Sequence, residues 1–227
     1  MSKNLFITGT GTDVGKTFVT ALIVKKLAQN NKKAAYYKAA MSGNERRQDG
    51  SLIPGDALFV QQISGINQPL NEMCPFVYEH AYSPHLASRL EGNPVNMEAV
   101  KKGFHAVSQS YDYVTLEGSG GILCPLCFDE ENIQLEDVIR ELHLSSLIVA
   151  DAGLGTINSV VLTVEYMHSR GLPIKGLIFN HYHPGNLMEE DNLRMCESMT
   201  GLKVLACVRD DDTDLDLDIN TLTSLYE

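Results

Sequence analysis

The stretch Gly9-Thr10-Gly11-Thr12-Asp13-Val14-Gly15-Lys16-Thr17 constrains this chain more than any other part of it. It follows a short apolar run, Leu5-Phe6-Ile7, and precedes an amphipathic stretch that continues to about Leu27. A strand, a glycine-rich turn and a helix in that order form a phosphate-binding loop. The glycines let the backbone curl so that successive N–H groups point at phosphate oxygens, and the helix N-terminus adds a favourable dipole. Lys16 is placed to reach the β- and γ-phosphates of a nucleoside triphosphate, and the Thr17 hydroxyl to coordinate Mg²⁺. The loop departs from the strict pattern G-x-x-x-x-G-K-[ST], because Thr10 stands at the first glycine position with Gly9 and Gly11 on either side. The competing reading is a ligand-free strand–helix turn.

Beyond the loop, short apolar runs alternate with longer amphipathic ones. Ala34–Tyr37, Tyr113–Leu116, Leu147–Ala150, Leu177–Phe179 and Val204-Leu205 read as strands. Helices are expected over about 56–63, 97–107, 135–142, 157–167 and 187–199. This alternation predicts an α/β fold, a mostly parallel central sheet with helices on both faces, of the P-loop NTPase type. Ligands of such sheets gather beyond the carboxyl ends of the strands. Lys16, Lys38, Glu117, Asp151 and Asn180 all fall at or just past such ends.

The 227 residues, 44% of them hydrophobic, suit one domain with one well-buried core, and no repeat or linker divides residues 1–227. The net charge of −11 argues against nucleic acid and against an anionic membrane surface as partners. Asp210, Asp211, Asp212, Asp214, Asp216 and Asp218 concentrate charge at about 208–220, which reads as a solvated segment free to move. No apolar run approaches the roughly 20 residues that span a bilayer, and the N-terminus lacks the features of a signal peptide. Five cysteines without framework spacing suggest reduced thiols and a cytoplasmic location. Cys124 and Cys127 form a lone C-x-x-C with no second ligand pair and read as structural rather than metal-binding.

Three charged residues suggest chemistry beyond nucleotide binding. Lys38 follows the second strand, beside Ala39, Ala40 and Ser42, where it can neutralise a transferring phosphoryl group or simply meet solvent. Asp56, in Gly55-Asp56-Ala57, begins a helix and could be no more than a cap. Glu117 ends a strand and precedes Gly118-Ser119-Gly120-Gly121, a natural position for an Mg²⁺ partner or for a solvated acid.

Taken together, Thr8 to Thr17, Tyr37-Lys38-Ala39-Ala40-Met41-Ser42-Gly43, Gly55-Asp56-Ala57, Ser83-Pro84-His85 and Glu117 to Gly121 resemble the dethiobiotin synthetases, in order, over about the first 180 residues. The resemblance implies an ATP-dependent cyclo-ligase of biotin synthesis. Such an enzyme joins CO₂ to 7,8-diaminononanoate, phosphorylates the carbamate and closes the ureido ring. It also implies Mg²⁺ held by Thr17, Asp56 and Glu117, with Lys16 and Lys38 catalytic. The nucleotide would meet Asp13, Val14, Gly15, Lys16, Thr17, Phe18, Asp56, Glu117, Gly118, Ser119, Gly120, Asn180 and His181, with Asn180 reading the base. The diamine would meet Thr12 and Ser42. Across a homodimer interface its tail carboxylate would meet the helix start Gly155, Thr156, Ile157 and Asn158, since a helix N-terminus suits a carboxylate.

Some positions depart from the family pattern. Asp13 stands where many members have Glu, and Lys38-Ala39 replaces Lys-Pro. Ala206-Cys207-Val208-Arg209 replaces the Gly-x-Ile-Pro that borders the base, and His181 follows Asn180 where an acid or small residue is commoner. His181 and His183 alone do not make a metal site and read as base-pocket or surface residues. Two other readings compete. A partitioning-type switch ATPase would share the fold, but an early second lysine in the loop and a basic C-terminal anchor are both missing. A related ATP-dependent ligase acting on another amine or carboxylate would use the same Lys38 and Ser42.

Overall fold

Strands that are apolar on both faces must be covered on both, and this chain supplies a core for each. The computed structural model describes residues 2–129 and 131–227. In chain order the first elements are β1 (Lys3–Gly9), α1 (Lys16–Gln29), β2 (Ala34–Lys38), β3 (Ala40–Met41), α2 (Gly55–Ser64), α3 (Leu70–Met73), β4 (Phe76–Val77), α4 (Pro84–Glu91) and α5 (Met97–Ser110). There follow β5 (Tyr113–Glu117), β6 (Pro125–Phe128), β7 (Asn132–Gln134), α6 (Leu135–Glu141), β8 (Ser146–Asp151) and α7 (Thr156–Ser169). The last are β9 (Ile174–Asn180), α8 (Leu187–Thr200), β10 (Val204–Cys207) and α9 (Ile219–Ser224).

The main sheet has the order β10-β9-β8-β1-β5-β2, and every pair in it is parallel. Side chains alternate between its faces with period two. On β1, Phe6 enters the core shared with α5, α6 and α7, whereas Leu5 and Ile7 enter the core shared with α1, α2 and α9. On β8, Ile148 and Ala150 take the first side, Leu147 and Val149 the second. The helices are spaced to match. On α5, Val100, Phe104 and Val107 are buried at a 3.6-residue period, and the Asn96 side chain starts the helix by accepting from the Ala99 N–H at 3.0 Å.

The expected mostly parallel sheet with helices on both faces is what the chain forms. Two small ladders, β3–β4 and β6–β7, lie outside the expected elements. So does the closure of the β2 edge. The buried Gln68 side chain accepts from the Tyr36 N–H at 2.8 Å and donates to the Tyr36 carbonyl at 3.0 Å, standing in for a rung of a further strand.

The aspartate-rich segment is anchored at several points. Its carboxylates are mostly solvated, yet Leu215 and Leu217 between them are buried in the second core. Lys26 pairs with Asp214 at 2.8 Å, Lys25 donates to the Thr213 carbonyl at 2.7 Å, and Asp218 caps α9. The alternation of Asp and Leu lets the backbone carry charge to solvent on one side and apolar groups inward on the other.

The chain leaves β1 for β2 at one edge, inserts β5 between them, and then builds β8, β9 and β10 on the other side of β1. That reversal opens a crevice beyond the carboxyl end of β1, where the glycine-rich loop lies.

Candidate active site

The loop from Gly9 to Thr17 joins β1 to α1 in a conformation that its glycines require. Gly15 has φ 83° and is the N-cap of α1, and a Cβ there would overlap the Asn180 amide nitrogen. At Gly9 a Cβ would come within 2.8 Å of Val14 Cγ2, whereas at Gly11 it would meet nothing within 4 Å. Gly9 therefore does the steric work that the consensus assigns to position 10, and Thr10 is tolerated. Lys16 is buried and donates to the Gly11 carbonyl at 2.7 Å, so its ammonium lies under the curl of the loop. Burial pushes its pKa below the ordinary lysine value; the Lys38 charge adds to that, and Glu117 opposes it.

Two strand ends and two helix starts supply the charged centre. Lys38 ends β2 and Glu117 ends β5, and the two are in register as direct neighbours in the sheet. The Lys38 ammonium lies 2.7 Å from Glu117 Oε1 and 2.7 Å from Asp56 Oδ2. Thr17, in the first turn of α1, donates to the same Glu117 Oε1 at 2.9 Å. Burial works against the Lys38 charge, but the Glu117 and Asp56 carboxylates outweigh it and hold the ammonium above the ordinary lysine range. Asp56 does not cap its helix: α2 has Pro54 as N-cap, and the carboxylate turns to Lys38.

Tyr36 is the residue that sequence reasoning missed. Its hydroxyl donates to Glu117 Oε2 at 3.1 Å, so all three partners of this buried carboxylate are donors. Burial, then the Glu117 charge, push its phenol well above the ordinary tyrosine value and keep it a neutral donor. The signal was its position two residues before Lys38, which puts both on one face of β2.

The donor set fits a divalent cation. A Thr hydroxyl and two carboxylates are hard oxygen ligands, and Mg²⁺ typically takes one or two carboxylates and leaves the rest to water and phosphate. The two carboxylates already hold a cation between them, the Lys38 ammonium. Among the described residues no three His, Cys, Asp or Glu side chains gather as a self-sufficient metal site.

Beside this centre is a cleft of ≈ 610 Å³. Thr12, Asp13, Lys38, Ser42, Asp56, Ser119 and Gly120 line it, so these expected site residues do converge. Ser42 Oγ is buried with no partner, while Ser119 Oγ donates to the Ala40 carbonyl at 2.9 Å. Cys124 forms part of the same wall, whereas Cys127 is buried in the first core; both are free thiols.

Other expected residues lie on the opposite flank of the loop. Asn180 ends β9, two strands from β1, and its amide nitrogen is 3.4 Å from the Val14 carbonyl. It is 1% exposed, and its Oδ1 has no partner. His181 has φ 54° and sets its Nδ1 2.7 Å from Asp151 Oδ2; His183 pairs with Glu189 instead, so the two histidines share no ligand. Phe18 is half-buried against the second core.

The helix start at Gly155, Thr156, Ile157 and Asn158 does not enter the Lys38 cleft of its own chain. It follows β8, with β1 and β5 between it and β2. Gly155 is the N-cap, with φ 93°, and Thr156 Oγ1 is buried without a partner. The adjoining Leu154 is 90% exposed.

Comparison with known proteins bears on this geometry. Residues 3–214 match a family model described as an AAA domain. The chain is 45% identical over 228 residues to the ATP-dependent dethiobiotin synthetase of Brachyspira hyodysenteriae, covering 100% of both proteins. It is 47% identical over 213 residues to the ATP-dependent dethiobiotin synthetase of Clostridium novyi, covering 92% of this chain and 87% of that one. Among solved structures, a MinC:MinD cell division protein complex from Aquifex aeolicus superposes with a TM-score of 0.58 at 15% identity, covering 98% of this chain and 86% of that one. At that identity the likeness is one of fold alone.

Proposed function

The chain belongs to the ATP-dependent dethiobiotin synthetase family, and on that premise we propose that the cluster of Lys38, Asp56, Glu117 and Thr17 beside the phosphate loop performs the family's reaction. CO₂ adds to one amine of 7,8-diaminononanoate, ATP phosphorylates the carbamate, and the second amine closes the ring as phosphate leaves. A carbamate oxygen is a poor leaving group, and phosphorylation makes it a good one. The second amine then attacks within the same molecule, where proximity lowers the barrier.

Each residue has a task set by its position. Lys16 and the N–H groups of the loop bind the phosphates. Lys38 presents a permanent positive charge where the carbamate oxygen and the transferred phosphoryl group carry negative charge, and such positioned charge is the main requirement of phosphoryl transfer. Thr17, Asp56 and Glu117 would hold Mg²⁺, which when bound neutralises phosphate charge. Tyr36 keeps Glu117 oriented. Ser42 and Thr12 line the diamine end of the cleft, and Ser42 Oγ still lacks a partner. The unpartnered Asn180 Oδ1 suits the amino group of an adenine base, with His181 beside it.

The helix start at Gly155 suits a carboxylate, and the unpartnered Thr156 hydroxyl supports that role. It does not line the cleft of its own chain, so the tail carboxylate would be held by the partner subunit of a homodimer. The exposed Leu154 and Leu162 on this side give such an interface apolar surface. We place the enzyme in the cytoplasm as one domain over residues 1–227; no described helix is long and apolar enough to cross a membrane.

The observation that carries this reading is the in-register Lys38–Glu117 pair shared with Asp56 and Thr17. Purified protein mixed with diaminononanoate, bicarbonate, Mg²⁺ and ATP should release phosphate only when the diamine is present, with dethiobiotin detected by mass. Absence of diamine-dependent release with any common triphosphate overturns it.

A further inference from the structure

The cleft that contains Lys38 has a polar end and an apolar rim. Lys38, Ser42 and Thr12 supply the first; Ala81, Tyr82 and Pro84 supply most of the second. Tyr82 is the one aromatic side chain among the lining residues, and it is 52% exposed. An aromatic ring half in solvent at the mouth of a polar site offers apolar surface that methylene groups of a ligand can bury.

The ring is held in place. It stacks on His80, with centroids 5.8 Å apart and planes at 21°. His80 is in turn fixed by one carboxylate: its backbone N–H donates to Glu91 Oε1 at 3.0 Å, and its Nδ1 lies 2.9 Å from the same oxygen. The loop itself is tied to the Ser42 segment. The Gly43 N–H donates to the His80 carbonyl at 3.1 Å, and the Asn44 N–H to the Tyr78 carbonyl at 3.0 Å. Tyr82 is therefore tied to the Ser42 segment through its loop and restrained by the His80 stack, which lowers the entropy cost of a contact.

We propose that Tyr82 is a specificity-determining residue whose ring forms the wall along which the methylene chain of the diamine lies, while the vicinal amines reach the Lys38 end. His80 and Glu91 are positioning residues for that ring. The assignment rests on the proposed activity and adds to it the feature that selects a long-chain diamine over a short one.

The test compares wild type, Tyr82→Phe and Tyr82→Ala with two diamines. One is 7,8-diaminononanoate. The other is 2,3-diaminobutane, which has the vicinal amines without the chain and is measured as substrate or as competitor. Tyr82→Ala should raise KM for diaminononanoate about tenfold, with kcat and the KM for ATP within about twofold. Tyr82→Phe keeps the ring and should stay within about twofold of wild type. Diaminobutane should not distinguish the three proteins. His80→Ala, which frees the ring without removing it, should raise KM for the long diamine by about threefold. An unshifted KM in Tyr82→Ala, or an equal loss for both diamines, overturns the assignment. Failure of the wild-type protein to release phosphate with diaminononanoate is a different result and defeats the proposed activity itself.

Discussion

On the β2–β5 side of the phosphate loop, both oxygens of Glu117 are bonded and Lys38 bridges two carboxylates. On the β9 side, Asn180 buries an acceptor with no partner and bonds to the loop through its amide nitrogen. The first flank is a closed network whose members fix one another, so the cost of gathering charge there is met by folding. The second holds an unmet bonding capacity that a ligand can satisfy. Substitutions on the first flank should therefore damage chemistry, and those on the second should change which ligand binds and how tightly.

The largest expected effect is that of Lys38→Ala. It should lower kcat about 10²–10³-fold while nucleotide affinity stays within about threefold, measured by steady-state turnover and calorimetry. Unchanged turnover would remove the first flank from the chemistry. Next is Tyr36→Phe, which takes one donor from Glu117. Turnover should fall by about tenfold or more, and the half-saturating Mg²⁺ concentration should rise. Wild-type Mg²⁺ dependence would mean that the network is only structural.

Asn180→Ala tests the other flank. ATP affinity should fall about tenfold, and the preference over GTP should shrink, with kcat within about threefold. Thermal stability of the ligand-free variant should barely change, because the deletion also removes an unpaired buried oxygen. A fall in kcat matching that of Lys38→Ala would erase the distinction between the flanks.

The smallest effect over any one pH unit comes from Lys16. Folding favours its neutral amine, so the free protein releases that proton below the ordinary value of 10.5, whereas Lys38 keeps its proton above it. Phosphate binding needs the ammonium. ADP affinity should therefore decline as pH rises through the folded-state pKa of Lys16, by at most tenfold per unit, in calorimetric titrations from neutral to alkaline pH. Affinity that stays flat to pH 10.5 would contradict it.

Much of this was legible in the amino-acid sequence because strand ends are legible. Lys38 and Glu117 follow apolar runs too short for helices, as does the loop that carries Lys16, and parallel sheets collect ligands at those ends. Gln68 was not, and Tyr36 only through its spacing from Lys38, since their roles depend on β5 pairing with β2 and on β2 lying at the edge, a long-range register. The burial of Leu215 and Leu217 was hidden for another reason. Its six aspartates obscured the period-two placement of Leu215 and Leu217, which decides where the backbone goes. Asp56 taken alone showed a helix start, and only the family resemblance made it a site residue; its Lys38 contact depends on α2 returning to the end of β2.

Gln68 has a consequence for the protein in a crowded solution. A parallel sheet ending in an open strand is a template on which another copy can stack, strand upon strand, without limit. Here one side-chain amide occupies a donor and an acceptor on β2 that such growth would need. Replacing it with alanine would free both for a neighbouring molecule, and the first symptom would be turbidity on warming at high concentration rather than loss of turnover. A residue far from the chemistry thus helps to determine how much of the enzyme stays dispersed.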